Sequence, residues 1–546
     1  MNSISIDFLS NKASPTAHLQ YLPNTAFNVT YAALVANRIG PVIKTLGVAT
    51  DESGRFKLQI PRRTEALKIT TNLNKAVSCF PLGAKYLFRM SGADIRLHRM
   101  VLLSNRLGID TSGLDHIPVG PGENRVKGHQ LGPGKASRAM AMAHIAMFEA
   151  ANSVLGGYAS YTQLSGTKGN ASVVAAVAQA NHDVLVALYP SHKPRLDGIL
   201  AGQLSQIANG DPKKAGISLG KRSAEKILSL RKNDNSSLPD QTVGVDYKPS
   251  DLPGAWRPDP ISKLTVALGS QWGKVKPFVI PSGSHFRNPP PPVLSSLDYN
   301  ASYDEVKCLG GDGINTPTVR SNTQTQTGIY WAYDGTPSLC APPRLYNQIA
   351  VVVAHERGIA AMRLLHLLTL MNVAMADSGI ASWESKYFYR FWRPVTAIRE
   401  AEIGTGPSKL GDTNKNTVGD PNWSPLGAPA SNVSNGVNFT PPFPSYPSGH
   451  ATFGGVLFQI LRRYIGTDDV PFTFISDELN GETIDHQGQH RPSLPRTYNR
   501  LSDAEEENGQ SRIYLGIHWS FDKTAGIQMG NNIANYVFDN LYKPKN

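Results

Sequence analysis

Along most of the chain the apolar positions recur at helical spacing. The clearest run starts at Phe453, with Val456, Leu457, Ile460, Leu461 and Tyr464 following at i+3, i+4, i+7, i+8 and i+11. That is one stripe of an amphipathic helix, and Gly466 is its stop. The Ala/Met-rich run from Ala136 to Gly156-Gly157 predicts another helix, as do Ala171 to Leu188 and Pro194 to Ala208. Helical pattern resumes near Tyr303, then from Tyr346 to Asp377, from Ser382, from Asp503 to Ile517 and from Asp522 to Tyr542. The richest apolar run, Met362 to Met375, is interrupted by Arg363, His366 and Asn372, so it reads as a buried helix rather than a membrane span. Residues 111–135, 404–446 and 467–500 read as loops, and the Pro-rich stretch 251–293 as extended chain. Residues 1–30 read as an arm, and 31–110 hold short apolar segments without a clear period. Alternating strand pattern is scarce, and no repeat of fixed period occurs. The expectation is an all-α fold, a helical bundle or bundles with long loops over one end.

Composition changes this little. The chain has 546 residues, enough for one large or two smaller domains, with 18% charged and 40% hydrophobic positions. The net charge of +12 comes from dispersed Lys and Arg without a basic block or a stacking motif, which argues against nucleic acid. Cys79, Cys308 and Cys340 lack metal-ligand spacing and read most simply as free thiols. The N-terminal residues show no signal-peptide pattern and no segment has the length of a membrane span, so no membrane partner is expected. Location stays open between the cytoplasm and export by another route.

Three stretches carry candidate chemistry. Pro447-Ser448-Gly449-His450 opens the helix described first, where unpaired N–H groups and a partial positive charge suit a tetrahedral oxyanion. Ser448 adds a hydroxyl donor, Gly449 lets an anion approach the backbone, and His450 can move protons. Lys386 and Arg393, seven apart, would share a face of one helix, with Phe388, Phe391 and Trp392 anchoring the other side. Arg512 and His518 are six apart, about 120° around a straight helix, so both reach one ligand only where the helix ends or bends, as Gly516 allows. Other histidines are weaker candidates. His486 and His490 sit in the Gly/Gln-rich loop DHQGQH, His144 and His182 in apolar helices, and Pro281-Ser282-Gly283-Ser284-His285 has no helical stripe after it.

In order the chain reads Lys-x6-Arg-Pro (386–394), Pro-Ser-Gly-His (447–450) and Ser-Arg-x5-His (511–518). This tripartite signature resembles that of the vanadium-dependent haloperoxidases and the related acid phosphatases of the type 2 phosphatidic acid phosphatase superfamily. The stretches YWAYDG (330–335), PPRLYNQI (342–349), DSGIASWESKYFYRFWRP (377–394) and PPFPSYPSGHATFGG (441–455) look most like the fungal chloroperoxidase type and its bacterial relatives. The resemblance covers roughly residues 136–546. It implies an unassigned extension over 1–130, a first helical region over 131–345, and a C-terminal bundle over 346–546 that carries the site.

The resemblance also implies roles. His518 looks like the one protein ligand of vanadium. Lys386, Arg393 and Arg512 would pair with vanadate oxygens, Ser448 and the Gly449 N–H would donate to them, and His450 would be the acid–base residue. Asp334 matches the aspartate that pairs with the arginine of the last motif. Trp383 and Phe443 stand where the fungal chloroperoxidases carry a Trp and a Phe beside the site, whereas the algal bromoperoxidases carry a His at the second. The implied reaction is oxidation of halide (bromide, iodide and, on this pocket, chloride) by hydrogen peroxide. A small organic molecule is the candidate acceptor and a second copy of the chain a candidate partner. The alternative is an acid phosphatase with a histidine nucleophile, since phosphate, an alternative occupant, has nearly the shape and charge of vanadate.

Overall fold

A computed structural model describes residues 92–165 and 170–545, and the backbone of six strands within the first 91 residues. The chain divides into two units, Met1–Ser91 and Gly92–Asn546. In the first unit β2 (Ala26–Val35) pairs antiparallel with β3 (Arg38–Ala49) and β5 (Ala66–Thr71), and β5 with β6 (Ala76–Pro81). β1 (Asn2–Asp7) pairs antiparallel with β4 (Arg55–Ile60). Strands therefore stand where an arm and unplaced segments were expected. The alternation is present but short. Arg55–Ile60 reads polar–apolar over only six residues, and such windows carry little weight beside long helical stripes. Most of the expected arm, residues 8–25, and the side chain of Cys79 lie outside the described residues.

The second unit is helical. Its first bundle contains α1 (Gly92–Asp115), α2 (Gly132–Leu155), α3 (Val173–Leu188), α4 (Lys193–Ser205) and α5 (Asp211–Leu230). Then come α6 (Leu297–Leu309), α7 (Asn322–Tyr330), α8 (Pro343–Glu356), α9 (Ala361–Tyr389), α10 (Pro394–Arg399), α11 (Gly449–Ile465), α12 (Leu501–Tyr514) and α13 (Ser520–Asn540). α9 joins the two halves. It packs on α1 and α2 on one side and on α8, α11 and α13 on the other. It is long and apolar enough to cross a membrane, yet its most apolar window is wholly buried inside this unit, as its interrupted pattern suggests.

Three expectations need correcting. The break placed between Asp377 and Ser382 is absent, because α9 runs unbroken there; the chain breaks instead between Glu356 and Ala361, around Gly358 at φ +61°. Lys386 and Arg393 do not share one helix. α9 ends at Tyr389, Arg390 takes φ +51°, and Arg393 is the N-cap of α10, whose first residue is Pro394. Of the expected anchors, Phe391 and Trp392 are buried but Phe388 is exposed, with the Arg287 guanidinium 3.6 Å above its ring.

The site sits where α9, α11 and α13 meet. α11 and α13 approach through glycine: a Cβ at Gly526 would stand 2.7 Å from the Ser448 carbonyl, and one at Gly530 2.2 Å from that of Thr452. This close approach holds the start of α11 against the start of α13.

Candidate active site

Each motif residue lies at an element's end, where backbone groups are unpaired. Ser448 is the N-cap of α11, its hydroxyl accepting weakly from Ala451 N–H at 3.4 Å. The N–H groups of the first turn, Gly449 included, have no intrahelical acceptor. A Cβ at Gly449 would stand 3.3 Å from the Trp383 ring, so glycine lets that ring close over the helix start. α12 ends at Tyr514 and Gly516 turns at φ +72°, bringing His518 round to the start of α13. The bend that Arg512 and His518 require is therefore present.

The three cations are buried and close enough to depress one another. Lys386 is held well below the usual lysine range by burial and then by Arg393. Arg393 is lowered to about 9 by burial, with Arg512 adding to the effect. Lys386 Nζ donates to the carbonyls of Pro444 (3.0 Å), Ser445 (2.8 Å) and Pro447, so its three N–H groups are engaged. It reaches an oxyanion only by exchanging one of them. Arg393 donates to the Phe443 and Ile517 carbonyls at 3.0 and 2.8 Å, and its Nη1 lies 2.9 Å from His518 Nε2. Arg512 Nη2 donates to Asp334 Oδ1 at 2.6 Å. What remains is telling. Arg393 Nη2, Arg512 Nε and Arg512 Nη1 are buried without a hydrogen-bond partner. Buried guanidinium N–H groups are seldom left so, because the loss of hydration is uncompensated.

His518 is kept neutral by burial and then by Arg393, Lys386 and Arg512. Its Nδ1 lies 2.7 Å from Asp522 Oδ2, which fixes the proton on Nδ1 and leaves a lone pair on Nε2 toward Arg393. Sequence reasoning did not single out Asp522. The signal was its place four residues after His518 in the first turn of the last helix, where the two side chains meet. Burial raises Asp522 to about 7. His450 is lowered to about 3 by burial and then by Arg512. Its Nε2 contacts the Ala332 carbonyl and stands 3.9 Å from Asp334 Oδ1. Trp383 and Phe443 pack at 4.9 Å between centroids, with Lys386 Nζ 5.2 Å from the Phe443 ring centre.

The weaker candidates lie elsewhere. His144 is buried with Nδ1 on the Met140 carbonyl, His182 sits between Asp183 and Asp197, and His490 meets the Glu482 carbonyl in its loop.

Residues 366–545 match the family model described as the VCPO second helical-bundle domain. The matched stretch contains every motif residue above except Asp334, which lies in the loop after α7. The vanadium chloroperoxidase of Curvularia inaequalis is 38% identical over an alignment that covers 46% of each chain. The vanadium-dependent bromoperoxidase of Ascophyllum nodosum is 31% identical over 17% of each. The chain thus spans less than half the length of these curated relatives. Among solved structures, a bacterial vanadium-dependent iodoperoxidase aligns with TM-score 0.62 at 21% identity, covering 82% of this chain and 97% of that one. An apo bacterial vanadium-dependent chloroperoxidase aligns with TM-score 0.57 at 16% identity, covering 75% and 94%. These likenesses show a shared helical-bundle fold.

Proposed function

We propose that this chain is a vanadium-dependent haloperoxidase, oxidising halide with hydrogen peroxide at the start of α11. The observation that carries this reading is the set of three unpartnered guanidinium nitrogens on Arg393 and Arg512, beside a neutral His518 whose Nε2 lone pair accepts from Arg393 Nη1 at 2.9 Å and would exchange that contact for a metal. Three cations there face two carboxylates, Asp334 and Asp522, so one negative charge or more is wanting in a buried setting. Buried charges are tolerated when paired, and a tetrahedral oxyanion supplies both charge and acceptors. Vanadate fits: His518 would hold the metal, and Arg393, Arg512, Lys386, Ser448 and Gly449 its oxygens. When bound it supplies a Lewis-acidic centre at which a peroxide oxygen becomes open to attack by halide.

The protein groups prepare that step. His450 is neutral before an anion enters, so it starts as a base; its Nε2–H donates to the Ala332 carbonyl, which leaves Nδ1 to take a proton. A negative charge beside it offsets Arg512 and raises its proton affinity. A bound anion also favours the charged form of Lys386, which burial and Arg393 otherwise disfavour, and so places positive charge where electron density must be withdrawn. Trp383 and Phe443, packed at 4.9 Å between centroids, would give a halide an apolar wall, suited to bromide or iodide and, with this pair, to chloride.

The test is one plate assay with and without orthovanadate. It follows halogenation of a phenol dye by peroxide with bromide and then chloride, beside hydrolysis of a chromogenic phosphate ester. Vanadate-dependent bromination is expected, and His518→Ala is expected to abolish it together with vanadium loading. Phosphatase activity that vanadate inhibits, without halogenation, overturns the reading in favour of a histidine-nucleophile phosphatase.

A further inference from the structure

We propose that Glu478, in the long loop before α12, is a positioning residue that orients both His450 and Arg512 through the backbone of residues 332–334. Two consecutive site contacts originate in that short segment. The Ala332 carbonyl meets His450 Nε2, and the Asp334 carboxylate takes Arg512 Nη2 at 2.6 Å. Tyr333 stands between them, and its N–H donates to Glu478 Oε1 at 3.1 Å. Tyr333 has φ +47°, a conformation that side-chain-bearing residues rarely keep unless their surroundings over-determine it.

The surroundings do so from one side. Glu478 is wholly buried, and its other oxygen accepts from Ser431 Oγ at 2.6 Å and from Arg491 Nη1, which also donates to Ser431 Oγ at 2.8 Å. The short helical turn Asp477–Leu479 is capped by Ser476, whose hydroxyl donates to the Tyr330 carbonyl at 2.6 Å. The Asp477 N–H donates to the Tyr333 hydroxyl at 2.6 Å. The turn around Glu478 thus grips the 330–334 segment at Tyr330 and at both ends of Tyr333. Releasing the Tyr333 N–H frees the peptide that sets the Ala332 carbonyl and the Asp334 Cα, and with them the aim of the unpartnered Arg512 N–H groups.

This inference rests on the anion-site reading, and its test separates the two. Inorganic phosphate and then orthovanadate are titrated calorimetrically into the full-length chain as wild type, Glu478→Gln, Glu478→Ala and Ser431→Ala, with thermal midpoints recorded in parallel. Both Glu478 variants lose the charge facing Arg491, so both midpoints fall. Glutamine keeps one acceptor oxygen, which serves the Tyr333 N–H when the amide nitrogen donates to Ser431 Oγ, whereas alanine keeps none. Affinity is therefore expected to stay near wild type in Glu478→Gln and to fall by about 10- to 100-fold in Glu478→Ala, the usual effect of removing an outer partner of a bound ion. Should Glu478→Ala not fold, Ser431→Ala loosens the carboxylate without stranding a charge and is expected to weaken binding by a smaller factor. Wild-type affinity in folded Glu478→Ala or in Ser431→Ala, or an affinity loss that follows the thermal midpoint equally in both Glu478 variants, overturns the inference. A wild-type chain that binds neither anion overturns the anion site itself, and this inference with it.

Discussion

Replacing Arg512 by lysine keeps the charge and removes the fork. In the wild type Nη2 is committed to Asp334 at 2.6 Å, while Nε and Nη1 have no partner and are the two nitrogens assigned above to the proposed anion. A lysine ammonium can replace the contact to Asp334, so no buried carboxylate is stranded and the fold should hold. It cannot also present two further N–H groups in one plane. At least one charge-assisted hydrogen bond to the oxyanion is lost, worth about 1.5–3 kcal/mol, or about 10- to 150-fold in dissociation constant. Calorimetric titration of orthovanadate, with phosphate as the unreactive analogue, reads this directly. An Arg512→Lys affinity within about twofold of wild type, with the thermal midpoint unchanged, refutes the assignment of those two nitrogens to the anion.

Other expectations follow from the same geometry. Gly526→Ala is expected to destabilise the fold by about 1–3 kcal/mol through overpacking, read as a lower thermal midpoint, and also to weaken phosphate binding, because the new Cβ meets the Ser448 carbonyl at 2.7 Å; binding unchanged in a destabilised variant counts against a shared α11–α13 scaffold. His144 is buried and lowered from 6.5 to about 4 by burial. It holds fewer protons folded than unfolded across that window, so stability should fall as pH drops from 6.5 toward 4, this group contributing about 3 kcal/mol. Denaturant titrations of wild type and His144→Phe between pH 4 and 8 check this, and an acid limb unchanged by the substitution contradicts it. Phe443→His is expected to reduce chloride relative to bromide turnover, and an unaltered ratio would show that the Trp383–Phe443 wall does not select the halide.

The helices legible in the sequence were those with a broad apolar stripe. α5 was missed because its buried face is made of Gly216, Leu219, Gly220, Ser223, Ala224 and Ile227, small residues that do not register as hydrophobic pattern. They are small for a reason: a Cβ at Gly216 would stand 2.4 Å from the Ser172 carbonyl and one at Gly220 2.5 Å from that of Ala176. α9 was split at Asp377 because a carboxylate inside an apolar run looks like a boundary. Burial pushes that carboxyl up to about 6, and it accepts N–H bonds from Phe278, Val279 and Ile280, so the helix carries a polar clasp at mid-length. Neither feature is local in sequence, since each partner lies far along the chain.

The site divides along the same line. Residues aimed at the anion are restricted in type, because only cations, hydroxyls, glycine and imidazole suit an oxyanion at a helix start. Each was a weak signal alone; the ordered set Lys386 and Arg393, Ser448, Gly449 and His450, Arg512 and His518 made them candidates through its resemblance to a known signature. The residues that aim those side chains are ordinary. Asp522 behind His518, the Ala332 carbonyl against His450, and Glu478 beneath Tyr333 are a helix-cap acid, a peptide group and a loop carboxylate, each defined by what it touches. A buried cation cluster is costly to assemble, and three guanidinium N–H groups remain unpaired within it. The energy that keeps such an arrangement must come from rigid elements around it, here the glycine-tight α11–α13 contact and the clasped 330–334 segment. The motif therefore marks out a place suited to an oxyanion, and the scaffold, which no motif records, determines how well one would be held.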